Sequence, residues 1–281
     1  MTSPRRRPLL PSLLGGVLLT GAALAAAGLS APDAPTAEPD VRPAFADTCI
    51  GYCKHPTNAA KVFKWGLEAW RDEFEVDPFS SRWQSDKPKQ IGQQNGMLTI
   101  KAYADTGSIT VWPDDQAAKY GRWEARVRAV EKKTNGQPYR FTWQLVPVDG
   151  DHCGASQVTL ASYVPGDARA RGSVRTLDNN DFRFSRKRDL RSRAWHTYAV
   201  EITKDHISWF VDTKVMRTET RTDALSGAKL RPQFVIEGDP DATMNESWMQ
   251  MDWVRYYTLK RPNAKSIDAK QMWQQTYDGG C

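Results

Sequence analysis

Short segments in which apolar and polar residues alternate recur through residues 70–258 of this 281-residue chain. Successive side chains of a strand lie on opposite faces, so the alternation predicts strands with one buried face. Gly, Asn and Asp separate the segments, and helical periodicity is scarce. The clearest strands are Tyr120–Val127, Phe141–Pro147, Trp195–Ile202 and Met251–Tyr257, and Ile207–Val215 is predicted to be a hairpin that turns at Asp212-Thr213-Lys214. We therefore predict an all-β fold of two antiparallel sheets packed face to face.

The N-terminal region is different in composition. Arg5-Arg6-Arg7 precedes an apolar run from Leu9 to about Leu29, which is the layout of a secretory signal. Residues 1–30 are therefore predicted to be a signal peptide, and a membrane anchor is the weaker alternative because Pro11 and several Gly interrupt the run. We expect the protein to be secreted or associated with the cell envelope, with no stable membrane insertion.

The rest of the chain divides by composition into three further parts. Residues 31–60 are rich in Pro and Ala, so they are predicted to be a linker with a cysteine-bearing end. Residues 61–259 carry the alternating segments and are predicted to form one domain, which we expect to be monomeric. Residues 260–281 are predicted to be a C-terminal tail.

Four cysteines lie beyond the predicted signal, which is typical of disulfides formed in an oxidising compartment. Three pairings of the four remain open from the sequence. The cysteines are Cys49, Cys53, Cys153 and Cys281.

The formal net charge of +6 overstates how basic the surface is. Residues 1–30 carry three Arg and no acid, so 36 basic and 33 acidic residues remain without them. The excess is instead local, because the segment from Arg169 to Arg193 has nine basic residues against three aspartates. Two explanations stay open, a solvated basic loop or a surface that attracts an anionic polymer. No nucleic-acid-binding motif accompanies the segment, so nucleic acid is not an expected partner.

Taken in order, these segments resemble the secreted β-glycanases of glycoside hydrolase family 16. Asp72-Glu73-Phe74 and the stretch from Asn95 to Ile100 resemble the opening strands of that family, so the resemblance covers roughly residues 65–258. It implies a jelly-roll β-sandwich with a concave glycan cleft.

The resemblance also implies a strand of the form Glu-x-Asp-x-Glu after Phe141–Pro147, with its acids pointing into the cleft. Retaining hydrolysis needs two carboxyl groups about 5–5.5 Å apart, one as nucleophile and one as acid/base. Gly154 matches the Gly that precedes the first Glu, which places Ala155, Gln157 and Thr159 at the three positions. None of these residues can replace a carboxylate, and a shift of one residue brings in no acid. The family catalytic positions are therefore predicted to be degenerate.

Nearby acids offer a fallback for catalysis. Asp149 and Asp151 lie just before this strand, in a turn rich in Gly and Pro, where turn formation is the simpler explanation. Glu237 and Asp239 follow a later strand and are a more remote possibility.

Four residues are predicted to contact a sugar. Trp143 matches the tryptophan of the family's cleft floor, although a core position is the alternative, and Trp112 lies where a strand meets a loop. Gln157 and Thr159 complete the set. The resemblance further implies one structural Ca²⁺, held by Glu73, Gly96 and Asp252, and the alternative for Asp252 is a salt bridge to an arginine.

Three functions remain open. The favoured prediction is that the protein is secreted and binds a β-linked polysaccharide without hydrolysing it. This polysaccharide could carry anionic groups. The second is an active endo-β-glycosidase or transglycosylase that uses relocated carboxylates. The third is a cell-envelope protein that binds an anionic polymer through the Arg169–Arg193 segment.

Overall fold

The computed structural model of the protein describes residues 57–75, 82–149, 157–176 and 180–276. In these ranges nearly all regular structure is antiparallel β-sheet. Helix is limited to α1 (Ala59–Phe63) and two single turns of 3-10 helix at Pro88–Gln90 and Thr222–Ala224. The predicted all-β fold is confirmed.

Sixteen strands are formed by the described residues. In chain order they are β1 (Trp70–Asp72), β2 (Trp83–Ser85), β3 (Ile91–Gln93), β4 (Leu98–Ala102), β5 (Ile109–Pro113), β6 (Gly121–Glu131), β7 (Arg140–Pro147), β8 (Val158–Tyr163), β9 (Asp167–Thr176), β10 (Asn180–Leu190), β11 (His196–Ile202), β12 (Ile207–Val211), β13 (Lys214–Glu219), β14 (Leu230–Glu237), β15 (Ser247–Tyr257) and β16 (Trp273–Thr276).

The strands divide into two sheets of eight. The back sheet has the order β13-β12-β11-β6-β15-β4-β3, with β1 also paired to β15, and the front sheet has the order β16-β10-β9-β8-β7-β14-β5-β2. Strands distant in sequence lie side by side, such as β7 beside β14 and β6 beside β15. This is the two-sheet jelly-roll sandwich that the resemblance implies.

The main core fills the space between the sheets. Large aromatic side chains dominate it, and Trp123 and Trp209 of the back sheet and Phe234 of the front sheet are all buried. On the front sheet the buried residues alternate with residues that face outward, as in Leu230–Glu237. The outward face of the front sheet is therefore the surface on which a ligand could lie.

A smaller apolar cluster covers the outer face of the back sheet. Phe63 of α1 packs edge-on against Phe210 of β12, with ring centroids 5.1 Å apart. A five-residue helix is too short to be stable alone, and here the buried Glu124 carboxylate of β6 accepts the backbone N–H groups of Ala59 (2.7 Å) and Ala60 (3.2 Å). The segment at the end of the predicted linker is thus built into the domain.

Two local predictions have clear outcomes. The hairpin is confirmed, with β12 and β13 joined at Asp212 and Thr213. The basic segment, by contrast, is not a loop, because β9 and β10 form a long antiparallel pair over most of it. Ala170, Val174 and Phe182 point into the core while arginines between them point outward, so each strand buries one face.

The folded domain also extends past residue 259. The backbone N–H of Ala264 donates to Phe63 (2.9 Å), the Thr218 hydroxyl donates to the Ile267 carbonyl (2.5 Å), and β16 then pairs with β10. This segment, predicted to be a tail, crosses from the back sheet to the front sheet and supplies the edge strand of the latter.

Candidate functional site

A line of polar side chains crosses the outer face of the front sheet at right angles to the strands. Residues directly opposite one another in antiparallel strands share a face, so the register places these side chains side by side. Six strands spaced 4.7–4.9 Å apart make the line about 24 Å long. We name it the polar row; it consists of Trp273, Arg183, Ser173, Thr159, Gln144 and Gln233.

Strand β8 sets the direction of two residues that the resemblance places at the catalytic positions. Val158 and Leu160 are each 2 % exposed and face the core, as predicted, so Gln157 and Thr159 face outward. The buried Trp209 of the back sheet donates its indole N–H to the Thr159 carbonyl at 3.0 Å, which ties β8 to the core. Ala155 lies outside the described residues.

Three amide side chains are linked at the centre of the outer face. Gln157 Nε2 donates to Gln144 Oε1, and Gln144 Nε2 donates to Gln233 Oε1 at 2.6 Å. The three glutamines form a hydrogen-bonded chain from the residue before β8 across β7 to β14. A neutral amide donates and accepts hydrogen bonds but does not ionise, so this chain suits sugar hydroxyls and cannot provide a nucleophile.

The fallback acids do not supply a pair in the described part of the site. Glu237 is exposed at the end of β14, where its Oε1 accepts the Thr142 hydroxyl at 2.5 Å. Asp149 is exposed beyond the end of β7, and Asp239 accepts the backbone N–H of Asp241 in a turn. Asp151 lies outside the described residues. Among the residues described on β7, β8 and β14, Glu237 is the one acid, whereas the two-carboxylate mechanism requires two.

The two tryptophans predicted to contact sugar lie on opposite faces of the front sheet. Trp143 is 1 % exposed and stacks in the core on Phe234, with ring centroids 5.7 Å apart. Trp143 is therefore a core residue, which was the alternative to a sugar contact, because odd-numbered residues of β7 point inward. Trp112 is partly exposed on the outer face of β5, opposite Gln84, with the Arg231 guanidinium 5.2 Å from its ring centroid.

Arginines dominate the β9–β10 side of the outer face. Arg171 pairs with Asp167 at 2.5 Å, and both Arg183 and Arg175 pair with Asp181, the latter at 3.9 Å. Burial alone would raise the pKa of Asp167, but the hydrogen bond from the Val164 backbone N–H and the pair with Arg171 lower it. Asp167 therefore stays charged and holds Arg171 in position.

Two of the three predicted calcium ligands, Glu73 and Asp252, are paired with arginines in the structure. Arg255 donates to both carboxylate oxygens of Glu73, at 2.9 and 3.2 Å, and Arg126 donates to Asp252 at 2.6 Å. Gly96 lies in the turn between β3 and β4. No group of three or more His, Cys, Asp or Glu in the described ranges is arranged to hold a metal. Each of the two carboxylates therefore has an arginine as its partner. For Asp252 this is the salt-bridge alternative.

Some predictions concern residues that the structure does not describe. All four cysteines, Cys49, Cys53, Cys153 and Cys281, lie outside the described ranges, as does the whole of the predicted signal. Within those ranges, no helix has the length and apolar character that crossing a membrane demands.

Sequence reasoning missed several residues of the outer face. Gln144 and Gln233 alternate with core residues, so a face assignment for β7 and β14 would have found them. Trp273 is 64 % exposed in a polar segment, and nothing local indicates that this segment joins the front sheet.

Comparisons with known proteins agree with this fold. The non-specific endo-β-1,3(4)-glucanase of family GH16 is 18 % identical, with a TM-score of 0.57 over 69 % of this chain and 91 % of the other. The laminarinase of Rhodothermus marinus is 18 % identical, with a TM-score of 0.55 over 68 % of this chain and 96 % of its own. The endo-β-1,3-glucanase of Pyrococcus furiosus is 15 % identical, with a TM-score of 0.55 over 68 % and 94 %. At these identities the likeness shows a shared fold.

No curated protein sequence matched the chain. The family model described as "Glycosyl hydrolases family 16" matches residues 77–255, which is more than half of the chain. The matched range runs from the region before β2 into β15 and includes the polar row up to Arg183. The chain therefore belongs to family 16 of the glycosyl hydrolases.

Proposed function

We propose that the protein is exported and binds a β-linked polysaccharide along the polar row without cleaving it. The observation that carries this proposal is the chain of Gln157, Gln144 and Gln233 at the centre of the outer face. It offers neutral donors and acceptors where a retaining hydrolase needs two carboxyl groups. The similar folds of a laminarinase and of endo-β-glucanases favour a β-linked glycan as the ligand.

The shape and chemistry of the row support a polymer ligand. A row about 24 Å long is wider than one sugar ring, and Trp112 and Trp273 stand near its two ends on the same face. An aromatic ring presents an apolar plane to the C–H groups of a sugar, while amides and hydroxyls bind its hydroxyl groups. The protein would act as a monomer, since the row is complete within one chain.

The test measures binding and cleavage together. The purified protein is run on native gels containing neutral and acidic β-glycans, and reducing ends are assayed after long incubation with each glycan. We expect retarded migration with at least one glycan and no release of reducing ends. Gln144→Ala should weaken retention about fivefold to tenfold, which corresponds to about 1 kcal/mol for a lost hydrogen bond. Gln137→Ala, an exposed glutamine on the loop before β7, is the matched control.

Other results would overturn the proposal. Release of reducing ends that is lost in Glu237→Gln, Asp149→Asn or Asp151→Asn would establish an active glycosidase with relocated carboxylates. Absence of retention by any glycan would reject glycan binding altogether.

The arginines of β9 and β10 favour a second candidate, a cell-envelope protein that binds an anionic polymer through electrostatic attraction alone. Under this candidate the amides and tryptophans of the polar row would play no part, so Gln144→Ala would leave binding unchanged. The effect of Gln144→Ala on binding therefore distinguishes the two candidates.

A further inference from the structure

A cavity of about 820 Å³ adjoins the β16 end of the polar row. Residues of β7 to β10, β13 and the start of β16 line it. Its lining includes five arginines, Arg140, Arg171, Arg175, Arg183 and Arg217, and one carboxylate, that of Asp181. The described walls of the cavity are therefore strongly positive.

Asp181 organises two of these arginines. Its side chain is 1 % exposed, it accepts hydrogen bonds from Arg183 and from Gln275 Nε2 (3.2 Å), and it lies 3.9 Å from Arg175 Nε. A guanidinium has five N–H donors, so one shared carboxylate leaves Arg183 with donors for a ligand. Burial, and secondarily the repulsion from the charge of Arg175, lower the pKa of Arg183. An anion in the cavity would relieve this repulsion.

Trp273 supplies an apolar surface next to these charges. It is 64 % exposed on the edge strand β16 and stands directly opposite Arg183 in the register. Hydroxyl groups of Ser162, Ser173 and Ser185 also line the cavity. An aromatic plane, a preorganised guanidinium and hydroxyl groups together suit a sugar ring that carries an oxyanion.

Building on the proposed function, we propose that this cavity binds an acidic sugar residue of the same polysaccharide, through its sulfate or carboxylate group. Arg183 binds the oxyanion, and Trp273, directly opposite it in the register, stacks on the ring. Arginine matches both groups because its planar fork makes two parallel hydrogen bonds to an oxyanion. The sugar residues next to it in the polysaccharide would lie on Ser173, Thr159 and the glutamine chain.

The experiment compares the affinities of the purified protein for glycans that differ in charge. The ligands are a neutral β-glucan, a sulfated β-glycan and a β-linked uronan, each measured at low and at physiological salt. We expect at least tenfold tighter binding to one acidic glycan than to the neutral one, and the better acidic ligand identifies sulfate or carboxylate. Salt should weaken only the acidic complex.

Four variants locate the site. Arg183→Gln should lose about tenfold in affinity for the acidic glycan and much less for the neutral one, and Trp273→Ala should weaken both. Arg191→Gln is the control for charge, because Arg191 is 76 % exposed and paired with Asp189 beyond the cavity. Since Arg183 helps to neutralise buried Asp181, Arg140→Gln is a second test, at an exposed arginine of the same cavity lining. Melting temperatures confirm that each variant is folded.

Several outcomes would overturn the inference. Equal affinity for neutral and acidic glycans would leave the proposed function intact but reject the acidic subsite. Equal losses in Arg191→Gln and Arg183→Gln would indicate attraction by overall charge. Tight binding of single-stranded nucleic acid or polyphosphate would indicate a general polyanion surface. Failure to bind any glycan would reject the proposed function itself.

Discussion

Trp143 shows how strongly one side chain's role depends on its face of the sheet. It is buried against Phe234, and its indole N–H has no acceptor among the described residues. Its ring therefore stabilises the core and does not contact a ligand on the outer face.

Replacement of Trp143 separates these two roles. Trp143→Ala should lower the free energy of unfolding by about 3–5 kcal/mol, because it leaves a large cavity in the core. Trp143→Phe should cost much less and leave glycan affinity unchanged, as measured by denaturant unfolding and affinity gels. If a stable Trp143→Phe protein lost affinity for the glycan, Trp143 would instead be assigned a sugar contact.

His196 is a second side chain with a testable environment. Its Nδ1 lies 3.2 Å from Asp212 Oδ2, and its Nε2 lies 2.9 Å from the Asp189 carbonyl oxygen. Burial alone would lower the pKa of His196, but the hydrogen bond and charge of Asp212 outweigh it and raise the pKa above 6.5. The protonated form is thus favoured in the folded state.

This raised pKa makes stability depend on pH. A group with a higher pKa in the folded state stabilises fully below its unfolded value, here 6.5, and loses that contribution as pH rises through the folded value. Asp212→Asn should therefore cost about 1–2 kcal/mol at pH 6 and less at pH 9, as measured by urea unfolding. Asn tolerates the left-handed backbone of position 212 (φ 56°), so the variant tests the charge. A cost that does not vary with pH would contradict the assignment.

The β3–β4 hairpin depends on its turn. Asn95 and Gly96 have φ of 52° and 70°, and Gln94 and Met97 exchange two backbone hydrogen bonds around them (2.8 and 3.1 Å). Positive φ at both central residues defines the Asn-Gly turn that matches the twist of paired strands. The turn thereby sets the register of the back-sheet edge.

Two glycines of this hairpin form a matched pair. Neither Gly96 nor Gly92 of β3 has an atom within 4 Å of an added Cβ, but only Gly96 has a positive φ. Gly96→Ala should therefore cost about 1 kcal/mol through backbone strain, while Gly92→Ala should be neutral or slightly stabilising. Thermal unfolding of both variants checks this. Equal effects would mean that the backbone conformation does not decide the cost.

An ion pair between Arg255 of β15 and Glu73 holds the back sheet to the segment after β1. Glu73 and Asp252, the two carboxylates that the family resemblance assigns to calcium, bind Arg255 and Arg126. The Arg255 side chain is 13 % exposed and also lies over Trp253, 4.1 Å from its ring centroid, which keeps the pair with Glu73 partly shielded from water.

The whole fold should accordingly be insensitive to calcium. A bound cation at 100 times its dissociation constant would add about 2.7 kcal/mol of stability, whereas here EDTA and Ca²⁺ should leave the melting temperature unchanged. Arg255→Gln should lower the unfolding free energy by about 1–3 kcal/mol, because it leaves the Glu73 carboxylate without this partner. A melting temperature that falls in EDTA and recovers with Ca²⁺ would instead support the predicted calcium site.

Much of the architecture could be predicted because β-structure has a local period of two. Val158 and Leu160 alternate with polar residues, so their burial and the outward direction of Gln157 and Thr159 follow from sequence. The same alternation in Ala170, Gly172 and Val174 predicts a strand in the basic segment, where the high arginine content suggested a loop.

The remaining features depend on which strands become neighbours. The alternation of β7 groups Trp143 with Phe141 and Leu145, and the stacking of the two sheets makes their shared face part of the core. The pairing of Arg255 with Glu73 joins residues far apart in the chain, as does the approach of Trp273 to Arg183. Local sequence determines strands and turns, because those depend on residue type and spacing. Register between distant strands is a property of the folded sheets, and it alone brought the polar row and the arginine cavity together.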